Sequence, residues 1–483
     1  MTKGMIYIVG AGPGDPDLIT VKGLQILKQA DVVLADHLAH PHLLSQCQAN
    51  ATIIDVGKEK GKHSITQKEI NEKMVTLANA GNIVVRLKGG DPFIFGRLGE
   101  EMEWLTQHGI NYEIVPGVSS AIAGPGYAGI PLTHRQISRS VAFMTGTQIK
   151  GKSAEDIPTT DTLVCLMGYH QLDLLIPKLI ECAHFNTQTP IALLSKATYP
   201  DQKSIQATLG TIINIATQHP LETPVLLIIG EVVSCAKTCA WFYKTVFHNR
   251  IILCRQTGKC DHWLNPLQNH NIDVVHAPVI ETIYQTNHGL TASHITESDY
   301  IIFTSATGVL YSIKAILDLG LDTRHLAQKT IVSLGPYVTK ALQDNGLNPD
   351  IQATQHDQAG VVASLPNTLQ GKTILYPTSS EADKMLKQDT EQKGAIVNQI
   401  SLYQTQSRSC DYLTITPKDW IVVFSPSAVT SYCKHKHWPK TNPMIALGNQ
   451  TATALEKAGF QHITTLATPT PAALLHLIQT SVS

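Results

Sequence analysis

The chain has 483 residues, 43% of them apolar and 16% charged, with a formal net charge of -1. This balance excludes a disordered tail and a broadly basic nucleic-acid binder, and the length asks for two or more domains, each with its own core. No apolar run reaches the ~18 residues that cross a bilayer, and Met1-Thr-Lys-Gly4 enters a strand without an apolar leader. Nine cysteines with no C-x-x-C pair fit reduced thiols, so the expectation is a cytoplasmic protein without membrane or nucleic-acid partners.

Short apolar runs alternate with amphipathic stretches along the whole chain, the pattern of an α/β protein. The first strand, Ile6–Val9, runs into Gly10, Gly12, Pro13, Gly14 and Asp15, a turn that lets bare backbone approach a ligand. Pro13 and Asp15 set it apart from the G-x-G-x-x-G dinucleotide turn. Further strands fall at Ile83–Val85, Thr162–Met167 and Val225–Ile229. Pro116-Gly117 and the small residues of 121–129 mark a subdomain boundary near 115. Cys235 and Cys239 stand four apart, and His435 and His437 flank a lysine; both pairs are read as packing and loop residues, with no metal site expected.

Beyond Trp241-Phe242 the pattern restarts at Arg250–Arg255, after a connector of about seven residues that reaches ~25 Å at most. An internal echo follows. Ile251–Leu253 recurs as Thr373–Leu375, and Tyr300–Ser305 as Ile421–Ser425. Ser333-Leu-Gly335 with its following helix recurs as Ala446-Leu-Gly448 with its own. Three echoes in order predict two similar lobes, each a parallel sheet flanked by helices.

The first half carries Val56-Gly-Lys58, the run Val84–Arg97 (VVRLKGGDPFIFGR), Val115–Ser120, Gly129–Arg135 and Cys165-Leu-Met-Gly168. With the glycine turn and Asp31–His37, these motifs over about 4–242 resemble the uroporphyrinogen-III C-methyltransferases of the tetrapyrrole methylase family. The second half, about 249–480, resembles uroporphyrinogen-III synthase. It does so through Phe303–Ser305, Leu375–Pro377, Tyr403–Thr405, Phe424–Ser427, Leu447-Gly448 and Thr468–Ala472. The resemblance implies an α/β tetrapyrrole methylase fold of two unlike subdomains, 1–115 and 116–242, and S-adenosylmethionine in the cleft between them. A bilobed α/β synthase fold then occupies 249–483, one lobe being about 249–282 plus 405–483 and the other about 283–402.

The same resemblance implies the chemistry and its residues. Hydroxymethylbilane would be cyclised to uroporphyrinogen III with inversion of ring D, and that product methylated at C2 and C7 to precorrin-2. Asp36 is the expected proton acceptor or pyrrole N–H partner, and Lys58 a carboxylate anchor or proton guide. Expected cofactor contacts are Pro13, Gly89, Gly90, Asp91, Ile94, Ser119, Ser120, Met167 and Ala197. The family has glycine at the positions of Ala197 and Leu98, which puts the backbone contact at 197 in question. Arg135 and Arg139 are expected to clamp substrate carboxylates. In the synthase half Tyr403 is the expected hydrogen-bond donor to the departing hydroxyl, and Thr304, Ser305, Ser425 and Thr451 the expected substrate contacts. Gln450 departs from a hydroxyl residue of some relatives. A homodimer through the first half is the family's expectation. A methyltransferase fused to a non-catalytic tetrapyrrole-binding or regulatory module is the alternative.

Overall fold

The computed structural model describes residues 4–48, 50–57, 65–147, 156–182, 184–242, 250–256, 260–270, 272–355, 357–382 and 384–482. Two compact units form: Met1–Val279 with Ser409–Ser483, and Ile280–Arg408.

The first unit begins with strands β1 (Met5–Gly10), β2 (Val32–Ala35), β3 (Thr52–Asp55), β4 (Ile83–Lys88) and β5 (Tyr112–Val115). They make one sheet in the order β3-β2-β4-β1-β5, with β1, β2, β3, β4 and β5 all parallel. Alternate residues feed opposite faces. Val9, Val33, Val85 and Leu87 join one core, while Ile8, Leu34 and Val84 join another with Met74 and Leu105 of the covering helices. A sheet covered on both faces favours nearly continuous apolar strands, as in β1 and β2, while β4 departs from this at Arg86 and Lys88.

The next sheet is different in kind. Its strands are β6 (Val141–Thr145), β7 (Thr162–Leu166), β8 (Pro190–Ser195), β9 (Lys203–Thr208) and β10 (Val225–Ile229), in the order β6-β7-β10-β8-β9. Only β6 and β7 are parallel; β7-β10, β10-β8 and β8-β9 run antiparallel. Leu163, Cys165, Leu193 and Leu227 face one core, and Val164, Ala192, Leu194 and Ile228 the other.

After β11 (Ile251–Gln256), strand β12 (Val274–Tyr284) carries the chain from the first unit into the second. There follow β13 (Tyr300–Phe303), β14 (Thr330–Ser333), β15 (Ile351–Gln352), β16 (Thr373–Ser379) and β17 (Ile396–Ser407). Within the second unit β15, β14, β13, β16 and β17 pair in that order and in parallel, and Ile280–Tyr284 runs antiparallel to Ser407–Tyr403. Back in the first unit, β18 (Trp420–Val423), β19 (Met444–Ala446) and β20 (Ile463–Thr465) extend from β11 in parallel.

The sequence echo falls on matching elements. Ser305 after β13 caps the helix Ala306–Asp318 by accepting the Gly308 N–H, and Ser425 after β18 caps Pro426–Lys434 by accepting that of Ala428. Gly335 after β14 and Gly448 after β19 each open a helix, Pro336–Asp344 and Asn449–Lys457. Among the described residues no helix is long and apolar enough to cross a membrane.

Candidate functional sites

In the first sheet the carboxyl ends of the strands carry the residues that the sequence singles out. Gly10 ends β1 and Ala11–Asp15 follows it, Asp36 follows β2, Gly89-Gly90 follows β4 and Gly117 follows β5. An open parallel sheet binds ligands at this end, where the strand backbones stop and loops diverge.

Two loops touch through bare backbone. Gly12 and Gly90 exchange both N–H···O bonds, at 3.2 and 2.7 Å. A Cβ on Gly10 would lie 2.6 Å from the Gly117 Cα and 2.7 Å from the Gly90 carbonyl oxygen, so no side chain fits there. Asp91 ties the same region together: Oδ2 accepts the Gly117 N–H at 2.8 Å and Oδ1 that of Phe93 at 2.7 Å. Its carboxylate therefore braces the loops as well as adding negative charge beside them. Ile94 is half-buried in the turn that follows, its N–H donated to the Asp91 carbonyl at 3.2 Å, and Pro13 is half-buried in the glycine loop. Ser119 caps the helix Ser120–Tyr127 by accepting the Ala121 N–H at 3.2 Å.

The second sheet supplies a clasp for the glycine loop. Thr198 Oγ1 accepts the Asp15 N–H at 2.9 Å, and Tyr127 donates its hydroxyl to Asp15 Oδ2 at 2.6 Å. Burial, then that carboxylate, pushes the Tyr127 hydroxyl pKa well up, so it stays a donor. Lys196 and Thr198 both hold positive φ, 48° and 73°, whereas Ala197 between them does not, so alanine in place of the family's glycine costs no backbone strain. Met167, just past β7, has φ 58° and is 51% exposed. A large apolar side chain is thus held out to solvent in a sparsely populated backbone conformation. Leu98, the other departure from glycine, is 4% exposed and fills the core beside Leu105 and Val84.

Asp36 is part of a buried charge network that the sequence did not disclose. Arg86 Nη2 donates to Asp36 Oδ1 at 2.5 Å, and Arg86 Nε donates to Glu101 Oε1 at 3.2 Å. Lys88 Nζ reaches both Glu101 oxygens at 2.9 Å, and Gln67 Nε2 adds a bond to Oε1 at 3.0 Å. The side chains of Arg86, Lys88 and Glu101 are 3%, 4% and 0% exposed, that of Asp36 30%. Two cations and two carboxylates neutralise one another in low dielectric, and only Asp36 opens to solvent. Desolvation, then the charge of Arg86, lowers the Lys88 pKa against the pull of Glu101. Two cations inside an otherwise apolar strand, Arg86 and Lys88, were the available signal.

Lys58 lies outside the described residues. Arg135 and Arg139 are exposed, and the Arg139 N–H is donated to Asp161 Oδ2 at 2.7 Å. The His435–His437 pair has a packing explanation: the buried His435 ring stacks on Trp438 at 4.0 Å and its Nδ1 lies 3.2 Å from Asp411 Oδ1.

In the second unit Tyr403 is 7% exposed, with its hydroxyl 2.9 Å from Ser305 Oγ and its ring 5.4 Å from that of Tyr311. Burial raises the Tyr403 pKa, the Ser305 bond opposing, so the phenol stays protonated. Thr304 Oγ1 shares a hydrogen bond with the Tyr376 hydroxyl at 3.3 Å. In the first unit Ser425 Oγ lies 2.9 Å from Ser427 Oγ, and Thr451 is buried in the first turn of Asn449–Lys457. Ser305 and Ser425 thus serve as helix caps at the carboxyl ends of equivalent strands.

Residues 5–213 match the family described as Tetrapyrrole (Corrin/Porphyrin) Methylases, and residues 261–476 the family Uroporphyrinogen-III synthase HemD. The chain is 45% identical over 235 residues to the uroporphyrinogen-III C-methyltransferase of Methanocaldococcus jannaschii, covering 48% of this chain and 97% of that one. It is 36% identical over 375 residues to the porphyrin biosynthesis protein HemD of Ruminiclostridium josui, covering 75% of this chain and 74% of the relative. A siroheme synthase of Psychrobacter cryohalolentis is 46% identical over 245 residues, 50% of this chain and 47% of its own. The chain spans about half the length of the siroheme synthases it matches. Through its first half the chain belongs to the tetrapyrrole methylase family, and through its second to the uroporphyrinogen-III synthase family.

Proposed function

We propose that the chain performs two successive steps of tetrapyrrole synthesis: closure of hydroxymethylbilane to uroporphyrinogen III with ring D inverted, then methylation at C2 and C7 to precorrin-2. The observation that carries the methyltransferase step is Asp36, partly open and held by Arg86, at the same sheet end as the side-chain-free Gly10–Gly90–Gly117 cradle.

That cradle fits S-adenosylmethionine. Bare backbone gives it close approach, Met167 offers a soft apolar surface, and Asp91 favours a cation nearby. When bound, the cofactor supplies an electrophilic methyl group to an electron-rich pyrrole carbon. The residues of the chain orient and deprotonate. Gly89, Gly90, Ser119, Ser120 and Ala197 would line the cofactor side, and Arg135 and Arg139 would receive substrate carboxylates. Arg86 occupies Oδ1 of Asp36, and among the described residues no hydrogen bond is made to Oδ2. That oxygen would take the pyrrole N–H or the proton released after methylation.

For the synthase step the support is the family match with the Tyr403–Ser305 pair. A phenol kept protonated by burial is suited to donate to the departing hydroxyl of the bilane, with Thr304 and Ser305 of the same unit offering neutral contacts. On this reading the domains are the two methyltransferase subdomains, 1–115 and 116–242, and a synthase over 249–483.

The experiment supplies uroporphyrinogen III and S-adenosylmethionine to the pure protein and follows methyl incorporation. A dimethylated product, lost by about 100-fold or more in Asp36→Asn, is expected. Methylation at the wild-type rate in Asp36→Asn would remove Asp36 from the chemistry, and no methylation by the wild type would overturn the first assignment.

A further inference from the structure

Asp273, the residue just before β12 in the second half of the sequence, lies against the methylase half within the first unit. His40 Nε2 is 3.3 Å from Asp273 Oδ1, and His40 Nδ1 accepts the His42 backbone N–H at 3.2 Å. The second bond leaves the ring proton of His40 on Nε2, so one imidazole caps the helix Pro41–Ser45 and donates to Asp273. The two side chains are 4% and 21% exposed. The Asp273 carbonyl accepts the Ile251 N–H at 2.8 Å, which fixes the carboxylate to β11. Burial opposes the charge of Asp273, and the bond from His40 together with the nearby charge of Arg250 outweighs it, lowering the pKa and keeping an anion in place. Tyr412, also from the second half of the sequence, packs onto the core that contains Leu43, Leu44, Val33 and Ala35.

Two routes lead from His40 into the methylase site. Along the chain, Asp36 opens a turn in which its carbonyl accepts the Ala39 N–H at 3.0 Å, and His40 follows directly. Across space, the His40 ring is 5.6 Å from the ring of Tyr199. Tyr199 fills the volume that a side chain on Gly14 would need, beside Thr198 with its bond to Asp15.

We propose that Asp273 is a positioning residue for methyl transfer: acting through His40, the synthase-derived part of the chain holds the Asp36 turn and the glycine loop in register. The inference rests on the methyltransferase assignment made above. It adds a contribution to that site from outside the methylase segment.

The test uses the full chain and the variants Asp273→Ala, Asp273→Asn, His40→Ala and His40→Ala/Asp273→Ala. Methyl transfer to supplied uroporphyrinogen III and the affinity for S-adenosylhomocysteine by calorimetry are the two readouts, with the thermal midpoint as a check of folding. Loss of one partly buried, charge-assisted bond predicts that Asp273→Ala lowers kcat by about tenfold and weakens S-adenosylhomocysteine by about threefold. Asp273→Asn keeps an acceptor for the Nε2 proton and should stay within about twofold of wild type. The double variant should be no worse than His40→Ala, because both changes cut one linkage. Wild-type kcat and wild-type affinity in Asp273→Ala would overturn the proposal, as would a double variant that loses the product of the two single losses. If the wild type binds S-adenosylhomocysteine without methylating uroporphyrinogen III, the substrate assignment fails, and the affinity cycle still decides the role of Asp273.

Discussion

Arg86 Nη2 donates to Asp36 Oδ1 at 2.5 Å, while the Nε of the same guanidinium donates to Glu101, so one planar fork joins a partly exposed carboxylate to a buried one. A point charge cannot hold both directions. Arg86→Lys should lower kcat for methyl transfer by about tenfold with little change in S-adenosylhomocysteine affinity. Arg86→Met leaves Glu101 with Lys88 as its one cationic partner beside the Gln67 amide and should cost about 3 kcal/mol of stability, read from the urea midpoint. An Arg86→Lys enzyme with unchanged kcat would show that Asp36 needs no anchor.

Gly10→Ala tests the cradle without touching a charge. Its Cβ would fall 2.6 Å from the Gly117 Cα, which forces the β1 and β5 loops apart. S-adenosylhomocysteine affinity should drop by more than about tenfold, since overpacking of backbone against backbone costs 1–3 kcal/mol or more. Cyclisation of hydroxymethylbilane should be unaffected. Unchanged affinity would place the cofactor elsewhere.

Much of this was legible in the sequence, and what escaped has a common cause. The α/β alternation and the paired lobes rest on local apolar runs and turn residues, which sequence displays directly, whereas the largely antiparallel sheet after residue 115 was not expected from them. The Gly10 turn was visible because glycine turns have short-range signatures, whereas Asp36 stood out only through the family resemblance. The Arg86–Glu101–Lys88 network was not visible, because Glu101 sits on a helix and meets β4 only through tertiary packing. The His40–Asp273 contact joins residues 233 positions apart and leaves no periodic trace. Asp91, read from the sequence as a cofactor contact, braces Gly117 through its carboxylate, a use of the side chain that only three-dimensional proximity reveals.

His42 makes stability depend on acid. Burial, then the neighbouring His40 and His276, pushes its pKa from 6.5 to about 3, against the pull of Asp273. The unfolded chain binds the proton first, so the stabilisation is complete above about pH 6.5 and is lost as pH falls toward about 3. The difference in urea midpoint between wild type and His42→Phe should therefore shift steadily in favour of the variant as pH is lowered through that window. A difference that stays constant with pH would contradict the buried neutral imidazole.

Tyr403→Phe removes one hydroxyl and leaves Ser305 its capping bond to Gly308. Cyclisation should slow by about tenfold, the loss of one hydrogen bond to the leaving group, while methyl transfer to supplied uroporphyrinogen III continues at the wild-type rate. Equal loss of both activities would point to damage of the fold.

The most direct test gives the intact protein hydroxymethylbilane and S-adenosylmethionine together and identifies the product by mass and absorbance. The account predicts the ring-D-inverted, twice-methylated precorrin-2 from a single polypeptide. Recovery of only the uninverted, unmethylated macrocycle would contradict it.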